Sequence, residues 1–250
     1  MPLDPEVFRH HPGLAAQIRD PEDCVFRHME PADHDPRMRE LGFAEDWRFD
    51  DATRNRMLDE TLKGRCDRDL WVFGYGSLMW NPGFYFSEVR RARVEGLHRS
   101  FCLVDRMGAR GDASAPGLMA ALDLGGSVEG LAFRIPACNV RCEADYVWKR
   151  EMIAPGYIPV FVPAETAQGP VEVLSFRADH AVEMMDPTLD HATKVRYIAT
   201  GRGFLGTSRE YLENVVAHCR CMKIEDPELE QLMHDVTAFP ALPGNCPTQT

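Results

Sequence analysis

Val72-Phe73-Gly74-Tyr75-Gly76-Ser77-Leu78-Met79-Trp80 starts as a strand and then changes character. Trp71, Val72 and Phe73 are β-formers. Two glycines then bracket a tyrosine, so the backbone is free to take conformations that a Cβ would forbid. Small residues at such a point gather main-chain N–H groups around a concavity, which builds an anion or oxyanion site without a charged side chain. The plainer reading is a tight turn that closes a sheet. Both describe a strand that delivers a turn to one end of a sheet.

On either side of this stretch the chain is written in short strands. Residues 70–74, 89–95, 99–104, 117–123, 127–135, 158–163 and 170–177 are β-rich, with glycine or proline in most of the gaps. Val94-Glu95-Gly96-Leu97 and Val128-Glu129-Gly130-Leu131 each place a glycine inside a strand, which predicts bulges or barrel corners. Seven short strands with one inserted helix predict an α+β fold: a small mixed β-barrel rather than a doubly wound sheet. The end of the chain turns helical. One helix is expected near 190–199. Another starts near Ser208, with Tyr211, Leu212, Val215, Val216 and Cys219 as its apolar face. A third follows Asp226-Pro227, with proline at its first position.

This organisation suggests a domain over residues 69–236, preceded by an acidic, partly helical extension (1–68) and followed by a loose tail (237–250). The extension lacks strand-like runs. It carries one expected helix, capped by Asp51 and ended by Gly64, and a His10-His11 pair expected at the surface. We expect it to wrap the domain or help assembly.

The chain has 250 residues and a net charge of −11, which argues against nucleic acid and anionic membranes as partners. No run approaches the ~20 apolar residues of a membrane span, and the N-terminus lacks signal-peptide features, so a cytoplasmic protein is expected. Eight cysteines without a Cys-x-x-Cys pair read as reduced thiols. His218, Cys219 and Cys221 come nearest to a metal cluster but lack the spaced pairs of a zinc site. Gly201-Arg202-Gly203-Phe204-Leu205-Gly206 satisfies a dinucleotide-binding pattern, but too little chain follows it to supply the parallel strand that fold needs.

The helix after Pro136 carries the candidate for chemistry. Val140, Ala144 and Val147 form its apolar stripe, with Trp148 beside it, and four residues beyond Val147 the same face reaches Glu151. Burial and the C-terminal end of a helix both disfavour a charged carboxylate. Both would raise its pKa toward what a general base needs. The residues alone leave two readings open: a buried base, or a glutamate paired with Lys149 or Arg150 at the surface.

Three segments together resemble a known family. The Tyr75-Gly76-Ser77-Leu78 turn with its Phe-Gly lead and Trp close resembles the substrate loop of the γ-glutamylcyclotransferases, ChaC branch. Arg150-Glu151 followed by Gly156-Tyr157 is similar to the end of that family's catalytic helix. Arg202-Gly203-Phe204 running into Glu210-Tyr211-Leu212 is similar to its C-terminal stretch. The resemblance implies the barrel of that family, Glu151 as the catalytic base, and substrate binding by Tyr75, Gly76, Ser77, Leu78 and Tyr211. It also implies a small-molecule substrate, glutathione, cyclised to 5-oxoproline with release of Cys-Gly, and neither metal nor cofactor. Loops such as 105–116 are expected to shape the leaving side. Two alternatives stay open: a cyclotransferase for other γ-glutamyl amines or peptides, and a non-catalytic binding protein of the cation-transport regulator kind.

Overall fold

β1 (Leu70–Gly74) opens a closed five-stranded barrel with β2 (Glu88–Met107), β3 (Asp112–Ile135), β4 (Tyr157–Thr166) and β5 (Val171–Ala178), in the order β1-β3-β2-β4-β5. The computed structural model describes residues 3–240. The ladders β1–β3, β2–β3, β2–β4 and β4–β5 are antiparallel. The barrel closes through parallel pairing of Trp71 with Val173 and Val72 with Leu174. The fold is α+β, with a barrel at its centre and helices around it.

Seven expected strands are five because two glycine sites bend a strand without ending it. Residues 89–95 and 99–104 are one strand, β2, whose register slips at Gly96 in a positive-φ conformation (φ 82). Residues 117–123 and 127–135 are likewise one strand, β3, bent at Gly125 and Gly126. Gly130 is not a bulge. It pairs in regular register with Ala92, and its missing Cβ admits the Gly74 carbonyl, which would lie 2.3 Å from that atom. Its role is to bring β1 close to β3.

The helices are α1 (Val25–His28), α2 (Asp35–Glu40), α3 (Asp51–Thr61), α4 (Val140–Glu151), α5 (His191–Thr200), α6 (Ser208–Cys221) and α7 (Pro227–Ala238). Asp50 rather than Asp51 caps α3, accepting from the Thr53 N–H at 2.6 Å. Thr207 and Glu210 form a capping box at the start of α6. α7 continues through residues 237 and 238, which are therefore helical rather than part of a loose tail; residues 241–250 lie outside the described residues. α4 buries Val140, Ala144, Val147 and Trp148, as its periodicity predicts, and Trp148 meets Phe176 edge-on at 5.4 Å. Phe84, Phe86 and Phe133 fill the adjoining core with edge-to-face contacts of 5.0–6.5 Å between ring centroids.

Residues 3–68 have no strand and are packed against the barrel. Val7, Phe8, Leu14 and Ile18 are buried in the main core. Arg9 pairs with the buried Glu88 at 2.5 Å, and the Arg91 N–H donates to His11 Nε2 at 3.0 Å. Arg27 donates to Glu143 of α4 at 2.8 Å and lies 4.0 Å from the Tyr146 ring centroid. Lys149 donates to Glu30 at 2.8 Å and the Phe49 N–H to the Ile153 carbonyl at 3.0 Å, which fastens the segment beside the end of α4, where Glu151 sits. Among the described residues no helix is long and apolar enough to cross a membrane.

Candidate active site

The chain leaves β1 at Gly74 and enters a single 3-10 turn, Ser77–Met79. The Met79 N–H donates to the Gly76 carbonyl at 2.9 Å, and the Asn81 N–H to the Ser77 carbonyl at 3.0 Å. The N–H groups of Gly76, Ser77 and Leu78 precede the first of these bonds and find no acceptor among the described residues. Neither Gly74 nor Gly76 has a positive φ, so the glycines are there for room rather than for backbone freedom. A Cβ on Gly74 would sit 3.0 Å from the Leu78 Cβ. One on Gly76 would sit 2.7 Å from the Tyr211 hydroxyl.

Arg99 fixes the entrance to this turn. Its buried guanidinium donates from Nε to the Tyr75 carbonyl (2.9 Å), from Nη2 to the Glu129 carbonyl (2.9 Å) and from Nη1 to Asp226, the N-cap of α7. A trans peptide points its N–H opposite to its carbonyl. Holding the Tyr75 carbonyl therefore aims the Gly76 N–H away from Arg99.

The end of α4 closes on the same turn. Arg150 donates from Nη2 to Ser77 Oγ at 2.7 Å and from Nη1 to the Asn81 carbonyl at 2.5 Å. Its Nε lies 3.2 Å from Glu151 Oε1. The two sequence readings of Glu151 are thus combined. The carboxylate is paired with Arg150, but the pair is inside, with only 14% of the Glu151 side chain exposed. Burial raises the Glu151 pKa and the neighbouring Arg150 cation only partly opposes it. Ser77 gives its hydroxyl to Arg150 and acts as an anchor of the turn.

Three phenols surround the carboxylate. Burial pushes the Tyr75 and Tyr157 pKa values well up, with the Glu151 charge adding to the effect, and the Tyr75 hydroxyl lies 3.5 Å from the Phe176 carbonyl. Tyr211 is buried, in contact with Trp80 and Phe101, and burial pushes its pKa up to about 12. All three stay protonated near neutrality, available as hydrogen-bond donors. Arg110 lies 5.3 Å from the Tyr211 ring centroid and donates to the Thr207 carbonyl at 2.8 Å. Burial lowers its pKa, the Tyr211, Glu210 and Asp105 groups oppose this, and no carboxylate is within ion-pair distance among the described residues. Asp105 shapes the loop that presents it, accepting the N–H groups of Met107 (2.8 Å), Arg110 and Gly111 (3.0 Å).

These groups line one cavity of about 590 Å³, inside the range typical of small-molecule sites. Tyr75, Gly76, Ser77, Leu78, Glu151 and Tyr211, the six residues singled out in the sequence, all face it. Gly201–Gly206 is not the strand-to-helix turn of a dinucleotide site. It forms a two-residue hairpin, β6 (Arg202–Gly203) and β7 (Gly206–Thr207), and its glycines permit close backbone contact: a Cβ on Gly203 would lie 2.2 Å from the Gly108 carbonyl. His218 stacks on Trp80 at 5.0 Å, and among the described residues no group of three His, Cys, Asp or Glu is placed to hold a metal ion.

The sequence model of the ChaC-like protein family matches residues 70–239, a span that contains the turn, α4 with Glu151, the Arg110 loop and Tyr211. The chain belongs to the ChaC-like family. Among its relatives, the glutathione-specific gamma-glutamylcyclotransferase of Escherichia coli K12 is 35% identical over 185 residues, 73% of this chain and 80% of that one. The human glutathione-specific gamma-glutamylcyclotransferase 1 is 30% identical over 188 residues, 72% and 83% of the two chains. The crystal structure of a yeast cyclotransferase described as specific to glutathione shares the fold, with a TM-score of 0.63 at 19% identity over 69% of this chain and 97% of that one.

For a ChaC-like chain, three contributions to the cavity escaped the sequence reading. Arg110 lay in a loop assigned only to the leaving side, and a lone arginine between glycines has no periodicity to betray it. Tyr157 was visible only as part of the Gly156-Tyr157 dipeptide. The third is a wall built by Arg19, Phe26, Met29, Arg37, Met38 and Trp47. These residues precede the family match by more than twenty positions, and nothing local in their sequence points at the barrel.

Proposed function

We propose that this chain is a cytoplasmic γ-glutamylcyclotransferase that converts glutathione to 5-oxoproline and Cys-Gly. The observation that carries the reading is Glu151: a carboxylate with a raised pKa, opposite a turn with unclaimed N–H groups, in a cavity large enough for a tripeptide. A non-catalytic binder has no use for a buried base.

The nucleophile is the substrate's own α-amine. Glu151 takes a proton from the α-ammonium, and the freed amine attacks the γ-carbonyl carbon. A C–N bond forms to close the five-membered lactam. The closing nitrogen sheds a second proton, the bond to the cysteinyl nitrogen breaks, and both protons end on that leaving nitrogen by way of Glu151, so that Cys-Gly departs as its ammonium form. Tethering makes the attack intramolecular, so the protein's task is to hold the glutamyl chain folded. The N–H groups of Gly76, Ser77 and Leu78 stabilise the negative charge that develops on the γ-oxygen. Arg110 takes the α-carboxylate as a charge-assisted partner. The Tyr75, Tyr157 and Tyr211 hydroxyls orient the substrate and keep water from the reacting atoms.

The test is incubation with glutathione while 5-oxoproline and Cys-Gly are followed by mass spectrometry, beside Glu151→Gln. The expected result is release by the parent protein and a loss of about a hundredfold to ten-thousandfold in the variant, the range of a positioned general base. Undiminished turnover by Glu151→Gln would remove the base from the mechanism.

A further inference from the structure

The wall contributed by residues before the family match has a fixed shape and an unmatched charge. Asp35 staples it, accepting from Trp47 Nε1 at 2.9 Å and from Arg48 at 2.8 Å. The Phe43 N–H donates to the carbonyl of the buried Met38 at 3.0 Å. Phe204, at the tip of the β6–β7 hairpin, is exposed to solvent yet touched by this wall twice: the His34 ring lies 5.4 Å from it, and the Arg37 guanidinium lies 4.9 Å from its centroid. Arg37 is thereby held in place at the cavity by stacking.

Its charge is not met among the described residues. Arg150 has Glu151, Arg48 has Asp35 and Arg27 has Glu143. Arg37 faces the cavity with no carboxylate and no hydrogen-bond acceptor among the described residues, in a chain whose carboxylates outnumber its cations by eleven. A preorganised guanidinium without an anion in an acidic protein is suited to an anion that arrives with the ligand. Of the charges on a γ-glutamyl peptide, the α-ammonium and α-carboxylate belong at Glu151 and Arg110. One charge remains, the terminal carboxylate of the leaving peptide. A γ-glutamyl amine lacks it. Phe26, Met29 and Met38 supply an apolar, adaptable surface for the residue in between.

We propose that Arg37 binds the terminal carboxylate of the leaving peptide, so that the N-terminal wall selects γ-glutamyl peptides with a free C-terminus over γ-glutamyl amines. This rests on the cyclotransferase reading of the same cavity.

The experiment compares glutathione with its glycine amide as substrates of the parent chain, Arg37→Met and Arg19→Met. Arg19, exposed and without a carboxylate partner among the described residues, belongs to the same wall and serves as the control. The parent should favour glutathione at least tenfold in kcat/KM. Arg37→Met should abolish that preference by raising KM for glutathione while kcat, and all parameters for the amide, stay near parental values. Arg37→Lys should restore part of the preference. A preference that survives in Arg37→Met, or that disappears in Arg19→Met instead, overturns the assignment. Equal use of both substrates by the parent overturns it and leaves the cyclotransferase reading standing; consumption of neither removes both. Arg37 is exposed, so the variant's thermal midpoint should match the parent's and a folding defect is excluded directly.

Discussion

Replacing Gly76 by alanine tests the geometry at the centre of the site. The new Cβ would lie 2.7 Å from the Tyr211 hydroxyl, against the 3.4–4 Å of an ordinary contact, so the two must part by roughly 0.7 Å. Tyr211 has little freedom to retreat, because it is buried and touches Trp80 and Phe101. Overpacking of this kind costs about 1–3 kcal/mol, or a fall of about 2–12 °C in Tm for a chain of this size. The same displacement moves the Gly76 N–H off its target, and an error near 1 Å in a positioned group costs about a hundredfold in rate. Removing the Tyr211 hydroxyl relieves the clash, since the next atom, the ring Cζ, would lie 3.8 Å from the new methyl. Gly76→Ala should therefore cost little in a Tyr211→Phe background. The assay is a double-mutant cycle read by thermal unfolding and kcat/KM. The expected coupling is about 1–3 kcal/mol in the direction of relief. A Gly76→Ala penalty that is the same with and without the Tyr211 hydroxyl would refute the reasoning.

Glu151 should make the folded state lose stability as pH rises. Its pKa is higher folded than unfolded, so the native state holds the extra proton between the two values and stability falls as pH climbs from about 4.5 through the folded pKa. The Tm advantage of Glu151→Gln over the parent should therefore grow across that window and then level off, and an advantage that shrinks with rising pH would contradict the burial argument. The same raised pKa should place the acidic limb of kcat/KM above the usual carboxylate range, and that limb should be absent from the residual activity of Glu151→Gln. Arg110→Met should raise KM for glutathione at least tenfold with a smaller change in kcat, as expected for loss of a charge-assisted anchor; an unchanged KM would take Arg110 out of substrate binding. Arg99→Lys keeps the charge beside Asp226 but cannot reach all three acceptors at once. It should lower kcat about tenfold with KM within about twofold, because it misaims the Gly76 N–H without touching substrate, and a rise in KM alone would argue against that positioning role.

The parts of this protein legible in one dimension are those with a local cause. The strand-to-turn change at Gly74, the apolar stripe of α4, the Asp-Pro start of α7 and the approach of Glu151 to a buried face all follow from side-chain periodicity, capping and turn chemistry, which act within a few residues. The family resemblance added the proposed roles of Tyr75–Leu78 and Tyr211, because its motifs are contiguous strings. A glycine's identity does not say whether it serves a positive φ or a close neighbour. Gly96 does mark the expected bulge, bending β2 without ending it, whereas Gly76 and Gly130 make room for the Tyr211 hydroxyl and the Gly74 carbonyl. The identity of those neighbours is a matter of tertiary packing. The same holds for Arg99, Arg110 and Arg37. Each is a single cation whose partner, or lack of one, is set by residues far away in sequence: Asp226 for Arg99, Tyr211 for Arg110 and Phe204 for Arg37. An isolated charge has no period and no motif. It acquires meaning when the closed barrel and the segment packed against it decide which carboxylates it can reach and which cavity it faces.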